Sequence, residues 1–88
     1  MITAVVLITA EKGALPTLGE ALAAIPGVSE VYSVTGEFDF IAMVRAKAHD
    51  DLADVVTGRI AQTKGVARTF THVAFRAYSK HDLETLFG

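Results

Sequence analysis

The two halves of the chain repeat one pattern, and this repeat limits the possible folds more than any other feature. Each half starts with an apolar, β-branched run, continues with a helical pattern, turns at a Gly-Val pair and ends in a second β-rich run. The two turns are Pro26-Gly27-Val28 and Lys64-Gly65-Val66. Because a β-α-β unit occurs twice, the repeat predicts a ferredoxin-like α+β fold with the order βαββαβ. Four antiparallel strands then form one sheet, and both helices cover the same face.

Apolar periodicity predicts where the four strands lie in the sheet. The runs Ile2–Thr9 and Phe38–Lys47 are apolar on both alternating faces, which is typical of central strands. The run Val28–Val34 alternates less cleanly and is expected nearer an edge. The last strand is predicted over Val66–Ala77.

Two amphipathic helices are predicted between these strands. Pro16 suits the first turn of the first helix, and Asp50 is the expected N-cap of the second. We expect Gly58 to mark close packing inside the second helix, and Gly65 to end that helix in a left-handed conformation. The predicted buried stripes are Leu15, Leu18, Leu22 and Ile25, then Leu52, Val55, Val56 and Ile60.

A short polar segment, Thr35-Gly36-Glu37-Phe38-Asp39-Phe40, separates the second strand from the third. Gly36 can adopt positive φ without steric cost, and the carboxylate of Asp39 can accept hydrogen bonds from backbone N–H groups nearby. The segment therefore predicts a tight β-hairpin at the centre of the chain. From these residues alone, Asp39 could do no more than cap its own turn.

The sheet face that the helices leave uncovered is also apolar in the two central strands. An exposed patch of this size is unusual for a monomer, so we expect two copies to pair sheet to sheet as a two-fold dimer. With 88 residues the chain is predicted to form one domain over residues 1–79, followed by a tail or short helix over 80–88.

Composition excludes several classes of protein. The chain has no cysteine, a net charge of −2 and no apolar run near the ~18 residues that a membrane span requires. We therefore expect a cytoplasmic protein without a membrane span, a cofactor or a nucleic-acid footprint. The three histidines lack the spacing of a metal site, and His72 is expected to be an enclosed, hydrogen-bonded core residue. The basic residues of the strands, which are expected to be solvated, are Arg45, Lys47, Arg68 and Arg76.

The hairpin segment, together with Lys64-Gly65-Val66 and Thr69-Phe70-Thr71, closely resembles the effector-sensing RAM domain of the Lrp/AsnC transcription regulators. The similarity extends from the first strand to about Ser79. It implies a module that forms face-to-face dimers, assembles into octamers or decamers, and binds a free amino acid. Family regulators also carry an N-terminal helix-turn-helix, whereas this similarity starts at residue 2. We therefore expect a stand-alone RAM protein that regulates through a partner, such as a full-length Lrp/AsnC regulator.

The resemblance also implies a ligand site, which carries over to Gly36, Glu37, Phe38 and Asp39, and to Thr69 and Thr71. An amino acid presents an ammonium and a carboxylate. Glu37 or Asp39 could accept the ammonium, whereas the Gly36 N–H and the two threonine hydroxyls could donate to the carboxylate. Phe38 would supply an apolar wall. In the simpler alternative, the threonines are ordinary strand formers.

Two other functional classes remain open on the sequence alone. The same fold dimerises in small α/β-barrel monooxygenases and isomerases, where Asp39 or His72 would act as a general base. The chain offers no nucleophile and no Gly-rich phosphate loop, so we expect no enzymatic activity. An RNA-binding sheet is disfavoured because the aromatic pattern and the basic charge of that module are absent. Four aromatic residues are expected in the core or an interface: Phe38, Phe40, Phe70 and Phe75.

Overall fold

A four-stranded antiparallel sheet carries two helices on one face in the computed structural model, which describes residues 1–80. The elements in chain order are β1 (Ile2–Ala10), α1 (Leu15–Ala23), β2 (Val28–Ser33), β3 (Phe40–Ala46), α2 (His49–Val55), a π-helical turn (Val56–Ile60) and β4 (Val66–Ala74). The strand order is β2-β3-β1-β4. The predicted ferredoxin-like fold is confirmed.

Strands β1 and β3 occupy the centre of the sheet, as their two apolar faces predicted. Strand β1 pairs with both β3 and β4, so that Val5 lies opposite Met43 on one side and His72 on the other. Strand β2 pairs with β3 alone and forms one edge, and β4 forms the other. The predicted edge position of the second strand is therefore correct.

The core lies between the helices and one face of the two central strands. Alternate residues of β1 and β3 point towards the helices and are buried, because successive side chains of a strand face opposite sides. Burying each Leu, Ile or Val stabilises the fold by roughly 1.5–3 kcal/mol relative to exposure. The buried core residues are Ala4, Val6, Ile8, Leu18, Leu22, Phe40, Ala42, Val44, Ala46, Leu52 and Ile60.

Two predicted strand boundaries differ from the observed ones by more than one residue. Strand β3 begins at Phe40 rather than Phe38, because Phe38 and Asp39 belong to the hairpin loop. Strand β4 ends at Ala74 rather than Ala77. Ala74 pairs with Thr3, near the beginning of β1, so the residues after Ala74 have almost no part of β1 left with which to pair.

The helices match their predicted positions, with three corrections. Leu15 opens α1 and remains 52% exposed, so it is not part of the predicted buried stripe. Asp50 is not the N-cap of α2: the extended Ala48 occupies that position, and Asp50 lies in the first turn, where the helix dipole favours a carboxylate. Gly58 does not mark close packing, since a Cβ added there would meet no atom within 4 Å.

A further correction concerns Gly65, which is not the predicted cap of the second helix: the helical segment has Ala61 as its C-cap, and Gly65 lies in the turn before β4 with φ of +100°. It also sits tightly against the start of α1, since an added Cβ would lie 2.8 Å from the Cβ of Ala14. Both the backbone conformation and the close approach therefore require glycine at this position.

His72 is exposed, and the prediction of an enclosed core histidine is wrong for this chain. It lies on β4, on the face opposite the helices, where no element within residues 1–80 covers it. The predicted tail falls mainly on residues 81–88, outside the described part of the chain. Within residues 1–80 no helix is long and apolar enough to cross a membrane.

Candidate functional site

The hairpin loop, residues 34–39, folds over the end of β1 and is held there by its main chain. The N–H of Val34 donates to the carbonyl of Asp39 at 3.1 Å, which closes the loop. The N–H of Asp39 donates to the carbonyl of Ile8 at 2.9 Å, which attaches the loop to β1. Gly36 is exposed at the tip with φ of +104°, and a Cβ added there would meet no atom within 4 Å. The backbone at the tip is therefore open to a ligand.

The carboxylate of Asp39 makes a further attachment to β1. Its Oδ2 accepts a hydrogen bond of 2.7 Å from the N–H of Ala10, in a partly buried position. Ala10 follows Thr9 at an irregularity in the β1–β4 pairing, where its amide is available to a side chain. Asp39 thus caps the end of β1 rather than its own turn.

The next amide, one residue after the end of β1, holds a second loop in place. The N–H of Glu11 donates to the carbonyl of Gly65 at 2.7 Å. Consecutive amides at Ala10 and Glu11 therefore hold the hairpin loop and the loop between the π-helical turn and β4. Both loops are anchored at the same corner of the sheet.

Phe38 carries the apolar side of the hairpin loop. Its ring meets the ring of Phe70 edge to face, with centroids 5.5 Å apart and an interplanar angle of 68°. The guanidinium of Arg68 lies over the Phe70 ring, 5.5 Å from its centroid. These three side chains form a continuous cluster on the face of the sheet that the helices leave uncovered, called the open face below.

Arg68 and Phe70 were not among the predicted site residues. The sequence pattern did not indicate them, because their place beside the loop depends on the register of β4 against β1, in which Phe70 lies opposite Leu7 and Arg68 lies opposite Thr9. The hydroxyl of Thr9 is buried and has no hydrogen-bond partner within the described chain.

Thr69 and Thr71 lie on the other face of β4. They pair with Ile8 and Val6, whose side chains are buried beneath the helices, so the two threonines face the helical side. Thr69 is partly buried beside the hairpin attachment at Ile8, whereas Thr71 is exposed and lies ~7 Å further along the strand. The structure thus places Thr69 opposite Ile8, the residue of β1 to which the loop is attached, and Thr71 farther along β4, and both threonines lie on the face opposite to Phe70.

Apart from the partly buried carboxylate of Asp39, the charged side chains near the loop are exposed. Glu37 is exposed at the tip of the loop, and its carboxylate has no hydrogen bond or ion pair within residues 1–80. Farther along the open face, the Tyr32 hydroxyl donates a 2.5 Å hydrogen bond to Glu30, which raises the pKa of Tyr32 above its ordinary value. Among the described residues no group of three or more acidic or histidine side chains could hold a metal ion.

Known proteins match this chain in sequence and in structure. Residues 3–83 match the model of the Lrp/AsnC ligand binding domain. The crystal structure of TTHA0845 from Thermus thermophilus is 52% identical, covers 91% of this chain and 100% of its own, and superposes with a TM-score of 0.84.

Two longer relatives are regulators by name. The uncharacterised HTH-type transcriptional regulator PF0250 from Pyrococcus furiosus is 40% identical over 58 residues, which are 66% of this chain and 39% of that protein. The feast or famine regulatory protein Rv3291c from M. tuberculosis, solved in complex with L-methionine, is 29% identical. It covers 91% of this chain and 54% of its own, with a TM-score of 0.71. Since the family match spans nearly the whole sequence, the chain belongs to the Lrp/AsnC family, as a ligand-binding domain.

Proposed function

We propose that this chain binds a free amino acid at the hairpin loop and passes that signal to a regulatory partner. The observation that carries the proposal is the anchored loop itself, which leaves the Gly36 backbone and the Glu37 carboxylate exposed side by side. The M. tuberculosis relative, whose similarity covers 91% of this chain, was solved with L-methionine and supports an amino acid as the class of ligand.

The loop offers the groups that an amino-acid zwitterion requires. The open backbone at Gly36 can donate to the ligand carboxylate, because no side chain blocks its approach. Glu37 accepts the ammonium, since Oδ2 of Asp39 is already engaged by Ala10. Oδ1 of Asp39 remains as a second acceptor, and Phe38 forms the apolar wall.

The two threonines have different places in this proposal. Thr69 adjoins the loop from the helical side and can donate its hydroxyl to a ligand that reaches over the end of β1. Thr71 lies two residues farther along β4, at a distance of ~7 Å from Thr69. It can therefore reach only a longer ligand, or one held by another copy of the chain. The arrangement favours a site completed at a contact between dimers, in an octamer or decamer.

A sheet-to-sheet dimer is the second part of the proposal. The open face presents partly buried apolar side chains from both central strands, and Phe70 is 41% exposed beside them. A four-stranded sheet provides the ~800 Å² per partner of a standard interface. The central apolar residues of the open face are Val5, Leu7, Ile41 and Met43.

The family places the chain among regulators rather than enzymes. Its curated relatives are named transcriptional regulators, and the matched domain is a ligand-binding domain. The prediction that the chain is not an enzyme is confirmed by this membership. The chain spans 39% of the length of these curated relatives. Because the chain matches only part of these regulators, regulation through a partner and a cytoplasmic location are proposed for it and are not taken over from them.

Thermal unfolding in the presence of each standard amino acid at millimolar concentration tests the proposed ligand. A ligand at 100 times its Kd adds ~2.7 kcal/mol to the native state, which raises Tm by several degrees in a domain of this size. We expect one amino acid, or a few related ones, to raise Tm.

Two matched variants make the test specific to the loop. Glu37→Gln should lose most of the shift because it removes the negative charge that pairs with the ammonium. Glu20→Gln removes an exposed acid from α1 and should keep the shift. A panel without any shift in the unmodified chain, or an equal shift in both variants, would refute the assignment.

A further inference from the structure

The registers of the four strands place the side chains of the open face in rows that cross the sheet. Residues paired on neighbouring strands lie at the same level and point to the same face. One row has an aromatic residue at each end and consists, from β2 to β4, of Tyr32, Ile41, Leu7 and Phe70. The next row has a polar residue at each end and consists of Glu30, Met43, Val5 and His72. The two edges of the sheet therefore present different side chains at the same level.

The ends of both rows are exposed, whereas their central residues are partly buried. Tyr32 is 49% exposed and Phe70 is 41% exposed, although both rings are large and apolar. The carboxylate of Glu30 accepts a hydrogen bond from the Tyr32 hydroxyl, which holds it on the open face. Its second oxygen can accept another hydrogen bond, and the imidazole of His72 can donate one. Each edge thus carries an aromatic ring and a polar group of complementary kind.

Acidic and basic side chains are divided unequally between the edges of the open face. Strand β2 presents Glu30, whereas β4 presents Arg68 and His72. Arg45 of β3 lies one row farther along, and its Nη1 donates to the Thr3 hydroxyl at 3.2 Å. Within the four strands, the β2 edge of this face is therefore acidic and the β4 edge is basic.

Two copies can pair face to face about a two-fold axis in either of two directions. If the axis runs across the strands, β2 packs on β2 and β4 on β4. Both Glu30 carboxylates then lie along one edge, and Arg68 and His72 of both copies lie along the other, which is unfavourable. If the axis runs along the strands, each row is reversed in the partner. Strand β2 then packs on β4, and Arg45 comes over Thr3 rather than over another cation.

Given the sheet-to-sheet dimer proposed above, on which this inference rests, we propose that the two-fold axis runs along the strands. Glu30 of each copy then faces His72 of the partner subunit and accepts a hydrogen bond from its imidazole. Tyr32 faces Phe70 of the partner subunit as an aromatic pair. The partner that fits this surface is a second copy of the chain, because each edge complements the other edge of the same face.

Thiol cross-linking tests the direction of the axis, because the chain has no cysteine of its own. A double variant, Tyr32→Cys with Phe70→Cys, leaves Glu30 and His72 in place. A short bismaleimide that spans the ~10 Å between packed sheets should link the two thiols of different copies and give a covalent dimer in a denaturing gel. Each single variant should remain monomeric in the gel. Its two thiols lie at opposite edges of the dimer, three strand spacings or roughly 14 Å apart across the sheet.

An exchange of charge tests the contact between Glu30 and His72. His72→Glu places two carboxylates against each other and should raise the Kd of the dimer by roughly tenfold or more. Combining it with Glu30→Lys restores opposite charges between the copies and should return the Kd close to that of the unmodified chain. Ala21→Glu adds the same charge on the exposed side of α1, away from the open face, and is the control. Light scattering over a series of protein concentrations measures each Kd.

Recovery of the Kd by the charge exchange, with covalent dimers from the double cysteine variant alone, would support this axis. Covalent dimers from a single cysteine variant would show that like edges meet and would overturn it. The axis is also wrong if the chain dimerises but the double cysteine variant does not cross-link, or if the charge exchange leaves the dimer as weak as in His72→Glu. A monomeric unmodified chain would refute the sheet-to-sheet dimer itself, so the two failures are distinguishable.

Discussion

The carboxylate of Asp39 holds the hairpin loop to β1, so replacing Asp39 should lower the stability of the fold even when no ligand is present. In Asp39→Ala the N–H of Ala10 loses its 2.7 Å acceptor in a partly buried position. A hydrogen bond to a charged group contributes ~1.5–3 kcal/mol. We expect the free energy of unfolding to fall by about 2 kcal/mol and Tm by roughly 8–16 °C. Asp39→Asn keeps an amide oxygen as acceptor and should lose about half as much.

Urea denaturation at one fixed protein concentration measures these differences, because assembly also changes apparent stability. Glu37→Ala, an exposed acid in the same loop, is the control and should stay within about 0.5 kcal/mol of the unmodified chain. Hydrogen exchange adds a local measurement: the Ala10 amide should exchange faster in Asp39→Ala than in Asp39→Asn. If Asp39→Ala is as stable as the unmodified chain, or Asp39→Asn loses as much as Asp39→Ala, the carboxylate does not anchor the loop.

Two further predictions concern the packing of α1 and the open face. Gly65→Ala should destabilise the fold by about 1 kcal/mol more than Gly13→Ala in the same urea assay. Both positions have positive φ, but an added Cβ meets another atom only at Gly65, so equal losses would contradict this account. Leu7→Glu should convert the proposed dimer to a monomer in light scattering, because it buries a charge in the interface. The exposed Leu15→Glu should leave the assembly unchanged, and a monomeric unmodified chain would exclude the dimer.

The fold was predictable because its determinants are local and repeated. The two strands with apolar residues on both faces occupy the centre of the sheet, and the Gly-Val turns mark where each helix returns to it. His72 was misplaced because alternation within a strand does not tell whether a neighbouring element covers it. Its exposure follows from the edge position of β4 and from the position of both described helices on the other face of the sheet.

The candidate site was less predictable, because its main contacts join residues that are far apart in the chain. Gly36 was predicted correctly as the residue of the loop with positive φ, yet the acceptor role of Asp39 depends on Ala10, 29 residues earlier. The Phe38–Phe70 contact depends in turn on the register of β4 against β1. Alternation along β4 puts Phe70 on one face of the sheet and its neighbours Thr69 and Thr71 on the other. Only the register of β4 against β1 shows which of these faces the hairpin loop meets.

The bonds that fix the hairpin loop divide its residues into two groups under different evolutionary constraints. The loop is closed and attached by the main chain of Val34 and Asp39 and by one carboxylate. The side chains of Thr35 and Glu37 are exposed and make no described bond. Substitutions at these two positions can accumulate without loss of the fold. If these side chains contact the ligand as proposed, relatives can differ in the ligand they bind while the scaffold around the loop stays the same.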